Sequence, residues 1–175
     1  GLMDLPKGAE ILLIKDKNFN SYKEKIQKLQ EEVYEPVRRT SSEIFELTAK
    51  DPKGISLAIE KDDQLLGICF SSPLKNYPLE RGLRRDPSFS DDNCFYMVDT
   101  TISPSLRGEG YGRDLKYALT LLAQAKGIKE LNGRNRDHMA SSMFNINLSL
   151  GGLEKFYIQE DYPDFEDHRD VIYYS

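Results

Sequence analysis

The run Ser105-Leu106-Arg107-Gly108-Glu109-Gly110-Tyr111-Gly112-Arg113-Asp114-Leu115 gathers the residue types that hold a phosphate. Glycine lets the backbone come close to an anion, and the N–H groups of a helix's first turn point at it. Arg107 and Arg113 add charge-assisted donors for phosphate oxygens. The flanks supply the setting. Cys94 to Ile102 is a β-type segment, and Pro104 stops it. Leu115, Ala118, Leu119, Leu122 and Ala123 then recur at helical spacing, which predicts a helix over Gly108–Lys126. Strand, glycine-rich turn and helix together make an anion site. The dinucleotide fingerprint needs Gly-x-Gly-x-x-Gly, and here the run is Gly-x-Gly-x-Gly. The P-loop needs Gly-Lys-Ser/Thr, and here Gly112 is followed by Arg113-Asp114. Neither fits.

The spacing Arg107-x-x-Gly110-x-Gly112 resembles the Q/R-x-x-G-x-G/A signature of the GNAT superfamily, the acyl-CoA-dependent N-acyltransferases. Val98-Asp99-Thr100-Thr101-Ile102-Ser103-Pro104 resembles that family's fourth strand entering the turn. A second segment supports the likeness. Lys129 to Asn135 reads as a short strand, and Arg136 to Gly152 resembles the family's next helix, N…N-x-x-M-x-x-x-N-x-x-L-G-F. Met143, Asn147, Leu150 and Gly151 fall on that pattern, so a helix over Asp137–Leu150 is expected, with Gly151 at its C′ position. Two residues depart from it. Ala140 stands where an asparagine contacts the pantetheine arm. Asn147 stands where a tyrosine is the family's usual general acid, and could equally cap or line a helix face.

The resemblance implies a direct transfer of an acetyl group from acetyl-CoA to an amine, with no covalent enzyme intermediate and no metal. The transfer passes through a tetrahedral carbon with a developing oxyanion, so a donor and a proton carrier are needed. By resemblance, backbone N–H groups of Thr100, Thr101 and Ile102 hold the pantetheine arm and polarise the thioester. Those of Gly108, Glu109, Gly110, Tyr111, Gly112 and Arg113, with Arg107, hold the pyrophosphate, and Asn135 and Asn147 complete the cofactor-binding set. Asp99 is a candidate base, directly or through water. Tyr96, of opposite side-chain parity, has a phenol of ordinary pKa ~10 that suits a general acid. Plain alternatives are a satisfied polar Asp99 and a core Tyr96. A GNAT-fold module that binds acyl-CoA or a partner without turnover is the competing function, favoured by Ala140 and Asn147.

Two segments could meet the acceptor. Glu160 to Asp167 interleaves acidic groups with aromatics and suits a cationic amine. Lys75 to Asp92, with Arg81, Arg84 and Arg85, suits a carboxylate or phosphate on the same substrate. An amino-acid-like amine would satisfy both.

The elements that position these residues follow from pattern. Ala9–Lys15 is apolar and predicts a first strand. Ser21-x-x-Glu24 and Thr40-x-x-Glu43 are capping-box signals for two helices. Ile55–Lys61 and Gln64–Ser71 form a hairpin around Asp62-Asp63. Ser72–Asn93 is a long polar connection, and Phe156–Ile158 and Val171–Tyr173 give two final strands. The resulting order, β-α-α-β-β-β-α-β-α-β-β, is also that of the GNAT fold. The expected class is therefore α/β, of α+β type, with a mixed, mostly antiparallel sheet of about seven strands and about four helices.

Composition bounds the rest. A chain of 175 residues with 39% hydrophobic and 30% charged content suits one globular domain, expected over 9–175, after an extension or tag remnant over 1–8. No apolar stretch reaches the ~18 residues of a membrane span. The net charge of −5 argues against general nucleic-acid binding. Two cysteines, Cys69 and Cys94, read as packing residues of a reduced, cytoplasmic protein, and with two distant histidines, His138 and His168, they make no zinc pattern. The expected partners are acyl-CoA and an amine, in a monomer or homodimer.

Overall fold

Alternating apolar residues drive the strands of the computed structural model, which describes residues 3–5, 8–78, 90–106, 108–136, 141–148, 155–160 and 172–174. The chain divides into two units, Gly1–Ser72 with Asp99–Leu122, and Pro73–Val98 with Ala123–Ser175.

In the first unit, β1 (Met3–Asp4), β2 (Glu10–Ile14), β3 (Ile55–Lys61) and β4 (Gln64–Pro73) pair in succession, all antiparallel. The β3–β4 hairpin turns on Asp62 and Asp63, with φ of 52° and 64°. Two positive φ values give the turn whose twist matches antiparallel strands. Every residue of β4 after Gln64 is buried, as in a strand covered on both faces. The helix α1 (Asp16–Val33) buries Phe19, Ile26 and Leu29, and α2 (Ser42–Lys50) buries Phe45, which meets Phe70 of β4 edge-on with centroids 5.0 Å apart.

Both helix starts differ from the expectation. Helix α1 begins at Asp16, ahead of Ser21, because Asn18 closes the first turn. Its Oδ1 accepts from the Lys15 N–H at 2.6 Å and its Nδ2 donates to the Leu13 carbonyl at 3.1 Å. Ser21 lies inside the helix and bonds back to the Asn18 carbonyl. The cap of α2 is Ser41, whose Oγ accepts from the Ile44 N–H at 3.4 Å. The hydroxyl of Thr40, the expected cap, is engaged with Asp99 instead.

Two elements run through both units, β5 (Cys94–Ile102) and α3 (Tyr111–Ala125). In the second unit β5 pairs with β6 (Glu130–Arg136) in parallel, from Cys94↔Glu130 to Met97↔Gly133. Then β7 (Ser141–Asn147), β8 (Lys155–Glu160) and β9 (Ile172–Tyr174) follow antiparallel. The fold is thus mixed α/β, with mostly antiparallel strand pairing and helices packed on it.

The helix expected over Asp137–Leu150 is not formed: Ser141–Asn147 is the strand β7. The sequence Phe144-Asn145-Ile146-Asn147-Leu148 alternates with period two, and Ile146 and Leu148 are buried while Asn145 and Asn147 are half-buried. An antiparallel ladder with β6, from Glu130↔Asn147 to Arg136↔Ser141, uses that alternation. Ala140 and Gly151 lie outside the described residues, as do 79–89 with Arg81, Arg84 and Arg85, and 161–171 with the acidic stretch. The described part of the Ser72–Asn93 connection is more ordered than a polar loop. Ser72 and Pro73 end β4, a single 3-10 turn follows at Leu74–Asn76, and Lys75 pairs with Asp92.

Candidate active site

The glycine-rich turn is built as its residues suggest. Ser103 donates its N–H to the Leu66 carbonyl of β4 at 2.8 Å, tying the end of β5 down. A 3-10 turn at Pro104–Leu106 follows, and α3 starts at Tyr111. Gly108 and Gly110 both have φ of +83°, a region cheap only for glycine. A Cβ at Gly108 would meet nothing within 4 Å, and one at Gly110 only the Arg113 guanidinium at 3.8 Å. The surface above the turn is therefore open. Gly112 lies against β5, where a Cβ would stand 3.5 Å from Ile102 Cγ1. In the first turn of α3, Gly112 and Arg113 have no carbonyl four residues back within the helix, so their N–H groups project from its positive end. Arg107 lies outside the described residues.

Strand β5 carries the next group. Its ladder with β6 runs from Cys94 to Met97, and the strand itself continues to Ile102. Because the Ser103 N–H faces β4, alternation along extended backbone turns the peptide groups of Ile102 and Thr100 to the opposite edge. The Thr100 side chain lies on the other face from Asp99, its Oγ1 3.4 Å from Cys69 Sγ. Burial pushes the Cys69 thiol up to about 11, only partly offset by that hydrogen bond and by Lys116, so no thiolate is at hand near neutral pH.

Asp99 is 5% exposed and anchors a polar network between β5 and the helices. Its carboxylate accepts from Thr101 Oγ1 at 2.5 Å, Thr40 Oγ1 at 2.7 Å and the Gln30 amide at 3.3 Å. Gln30, itself 2% exposed, also donates to Thr101 Oγ1 at 3.1 Å and accepts the Thr40 N–H at 3.0 Å. Tyr34, just past the end of α1, joins the same network. Its hydroxyl is 3.2 Å from Thr101 Oγ1 and 3.4 Å from the Thr100 carbonyl.

Beside this network α1, α2 and the segment between them border an open cavity of about 210 Å³, lined by Gln27, Gln30, Glu31, Arg39, Thr40 and Ser42 together with Ile26 and Phe45. Arg39 is fixed by its Nε bond to the Tyr34 carbonyl at 2.9 Å.

The remaining expected residues are dispersed. Tyr96 is 1% exposed and packed edge-on against Tyr77. Asn135 lies in β6 opposite Ser142, and Asn147 in β7 opposite Glu130. Among the described residues no cluster of His, Cys, Asp and Glu could hold a metal ion, and no helix is long and apolar enough to cross a membrane. The sequence marked Thr40 as a helix cap and did not single out Gln30 or Tyr34.

A family model described as the acetyltransferase (GNAT) family matches residues 22–141. The fold is similar to the loading GNATL domain of CurA from Lyngbya majuscula, at TM-score 0.56 and 16% identity over 74% of this chain and 67% of that one. It is similar to the ribosomal-protein-S18-alanine N-acetyltransferase from Escherichia coli, at TM-score 0.53 and 11% identity over 75% and 70%. It is also similar to an aminoglycoside acetyltransferase, meta-AAC0020, from an uncultured soil metagenomic sample, at TM-score 0.54 and 15% identity over 77% and 82%. No curated protein sequence matches the chain.

Proposed function

Because the chain belongs to the acetyltransferase (GNAT) family, we propose that it transfers an acetyl group from acetyl-CoA to a primary amine in a ternary complex. The observation that carries this reading is the turn at Gly108–Gly110, where two glycines with φ of +83° lead into the N-terminus of α3. The backbone can come close to a diphosphate there, and the helix end favours its charge. Arg113, and Arg107 by sequence, add bidentate donors. Backbone N–H groups of Thr100 and Ile102 then hold the pantetheine arm and polarise the thioester carbonyl, while the Thr101 hydroxyl serves the Asp99 network. The bound thioester supplies the acyl group.

For the acceptor, the α1–α2 cavity fits a small molecule bearing an amine and an anionic group. Glu31 offers the amine a counter-charge, and the terminal nitrogens of Arg39 can fork onto a carboxylate. Asp99 serves as the base through the hydroxyls that touch it. Two buried cysteines without a disulfide suit a reducing, cytoplasmic compartment.

The binding half is tested by titrating CoA calorimetrically into wild type and Gly110→Asp. Asp in a positive-φ position is strained, and its charge repels phosphate, so binding should be lost. Unchanged affinity in a folded variant contradicts the assignment. A second reading, an acyl-CoA-binding module without turnover, is favoured by Asn147 and by the burial of Tyr96. It predicts the same loss of binding and no CoA release with any amine.

A further inference from the structure

We propose that Tyr34 is the general acid for the departing thiolate, with Thr101 and Asp99 holding and recharging it. The inference rests on the N-acetyltransferase reading above.

Expulsion of a thiolate needs a proton donor beside the thioester. Neither expected position supplies one. The Tyr96 phenol is 1% exposed and packed against Tyr77, and Asn147 carries an amide, which has no proton to give near neutral pH. Tyr34 is half-buried, and its hydroxyl reaches the Thr100 carbonyl oxygen at 3.4 Å. Alternation from the Ser103 N–H, which faces β4, turns that carbonyl to the far edge of β5. This is the edge whose N–H groups are proposed to hold the thioester, so the phenol stands where the sulfur would leave.

The network behind Tyr34 has the right order of donors. The Thr101 hydroxyl has one proton, and its 2.5 Å contact with the Asp99 carboxylate claims it. At the 3.2 Å contact the Thr101 hydroxyl is placed to donate to the Tyr34 oxygen once Asp99 is protonated, while the Tyr34 hydroxyl itself donates to the Thr100 carbonyl. Gln30 fixes both ends, donating to Thr101 and Asp99. On its other oxygen Asp99 accepts from Thr40, which lines the α1–α2 cavity. One line of hydroxyls thus runs from that cavity to the edge of β5.

The proton count closes along this line. The acceptor nitrogen bonds to the acyl carbon, the carbon–sulfur bond breaks, and the electron pair leaves on sulfur. The Tyr34 proton goes to sulfur. The phenolate takes the Thr101 proton, and Thr101 is refilled from Asp99. Asp99 has received, through Thr40, the proton lost by the acceptor nitrogen. Net, one proton passes from nitrogen to sulfur.

The test compares wild type, Tyr34→Phe, Thr101→Val and Thr101→Ser, with acetyl-CoA and a panel of amino acids and small primary amines. Tyr34→Phe keeps the ring, so its melting temperature and its calorimetric affinity for CoA should match wild type. Its kcat should fall ~10²-fold, in the range of general-acid loss, with KM for acetyl-CoA unchanged. The wild-type kcat should decline at alkaline pH as the acid deprotonates, and Tyr34→Phe should lack that limb. The charged side chains on the elements around the phenol are Glu31 and Glu32 of α1, Arg38 and Arg39 of the segment between α1 and α2, and Asp99 of β5. Thr101→Val should approach the Tyr34→Phe defect, and Thr101→Ser should restore turnover. If wild type turns over while Tyr34→Phe keeps its kcat and its alkaline limb, Tyr34 is not the acid. If wild type binds CoA yet releases none from acetyl-CoA with any amine, the N-acetyltransferase reading falls and the role of Tyr34 with it.

Discussion

Asp99 is the residue on which the proposed mechanism turns. A carboxylate that accepts from Thr40, Thr101 and Gln30 has its lone pairs occupied, so in that mechanism it works through those hydroxyls rather than by touching the amine. Asp99→Asn should lower kcat/KM by ~10²-fold, the size of a lost general base. A pH–rate profile identical in wild type and Asp99→Asn would remove Asp99 from the mechanism. Cys69 makes the opposite point, since a nucleophilic residue type is here a packing residue. It is fully buried with its thiol pushed up to about 11. In native protein at pH 8, Cys69 and Cys94 should both resist a thiol-specific reagent and react only on unfolding, as read by mass spectrometry of the labelled peptides. Rapid labelling of Cys69 in the folded protein would contradict its placement.

At the scale of elements, Gly67 of β4 leaves room for the side-chain tips of Ile102 and Ile59. A Cβ on Gly67 would lie 2.8 Å from Ile102 Cδ1 and 3.3 Å from Ile59 Cδ1. Gly67→Ala should destabilise the fold by about 1–3 kcal/mol through overpacking. It should also weaken CoA binding, because Ile102 ends the stretch proposed to hold the pantetheine arm. Chemical denaturation and calorimetry read the two effects, and a neutral Gly67→Ala would mean that the Ile102 and Ile59 side chains turn aside to admit the methyl group. The elements legible in the sequence were those with local signals. The Asp62-Asp63 turn set the β3–β4 register, and Cys94–Ile102 emerged with the predicted bounds. What failed depended on competition between signals. Ser21 offers a capping box, yet Asn18 closes an earlier turn. The Met143–Asn147 spacing fits a helix, yet pairing with β6 makes a strand of it. The polar network was illegible for a different reason. Tyr34 and Gln30 meet β5 across sequence separations of 66 to 71 residues, and nothing local marks such contacts.

For the whole molecule, the folded state should weaken in alkali. Burial and the hydrogen bond to Glu60 raise the Tyr22 phenol from 10.0 to about 12, and burial raises Cys69 from 9.0 to about 11. In both, the folded state favours the protonated form. The stability this gives is full below the unfolded values and is lost as pH rises from 9.0 to about 11 for Cys69 and from 10.0 to about 12 for Tyr22. Denaturation midpoints should therefore fall across this range, and less steeply in Tyr22→Phe. A variant with the wild-type slope would show that Tyr22 does not contribute.

Proposed acetyl transfer is decided by the release of free CoA from acetyl-CoA over a panel of primary amines, with the product's mass measured alongside. Acetyl transfer gives CoA release that depends on the amine, a product heavier by one acetyl group, and loss of both in Gly110→Asp. CoA binding without amine-dependent release for any member of the panel would contradict it and leave an acyl-CoA-binding module.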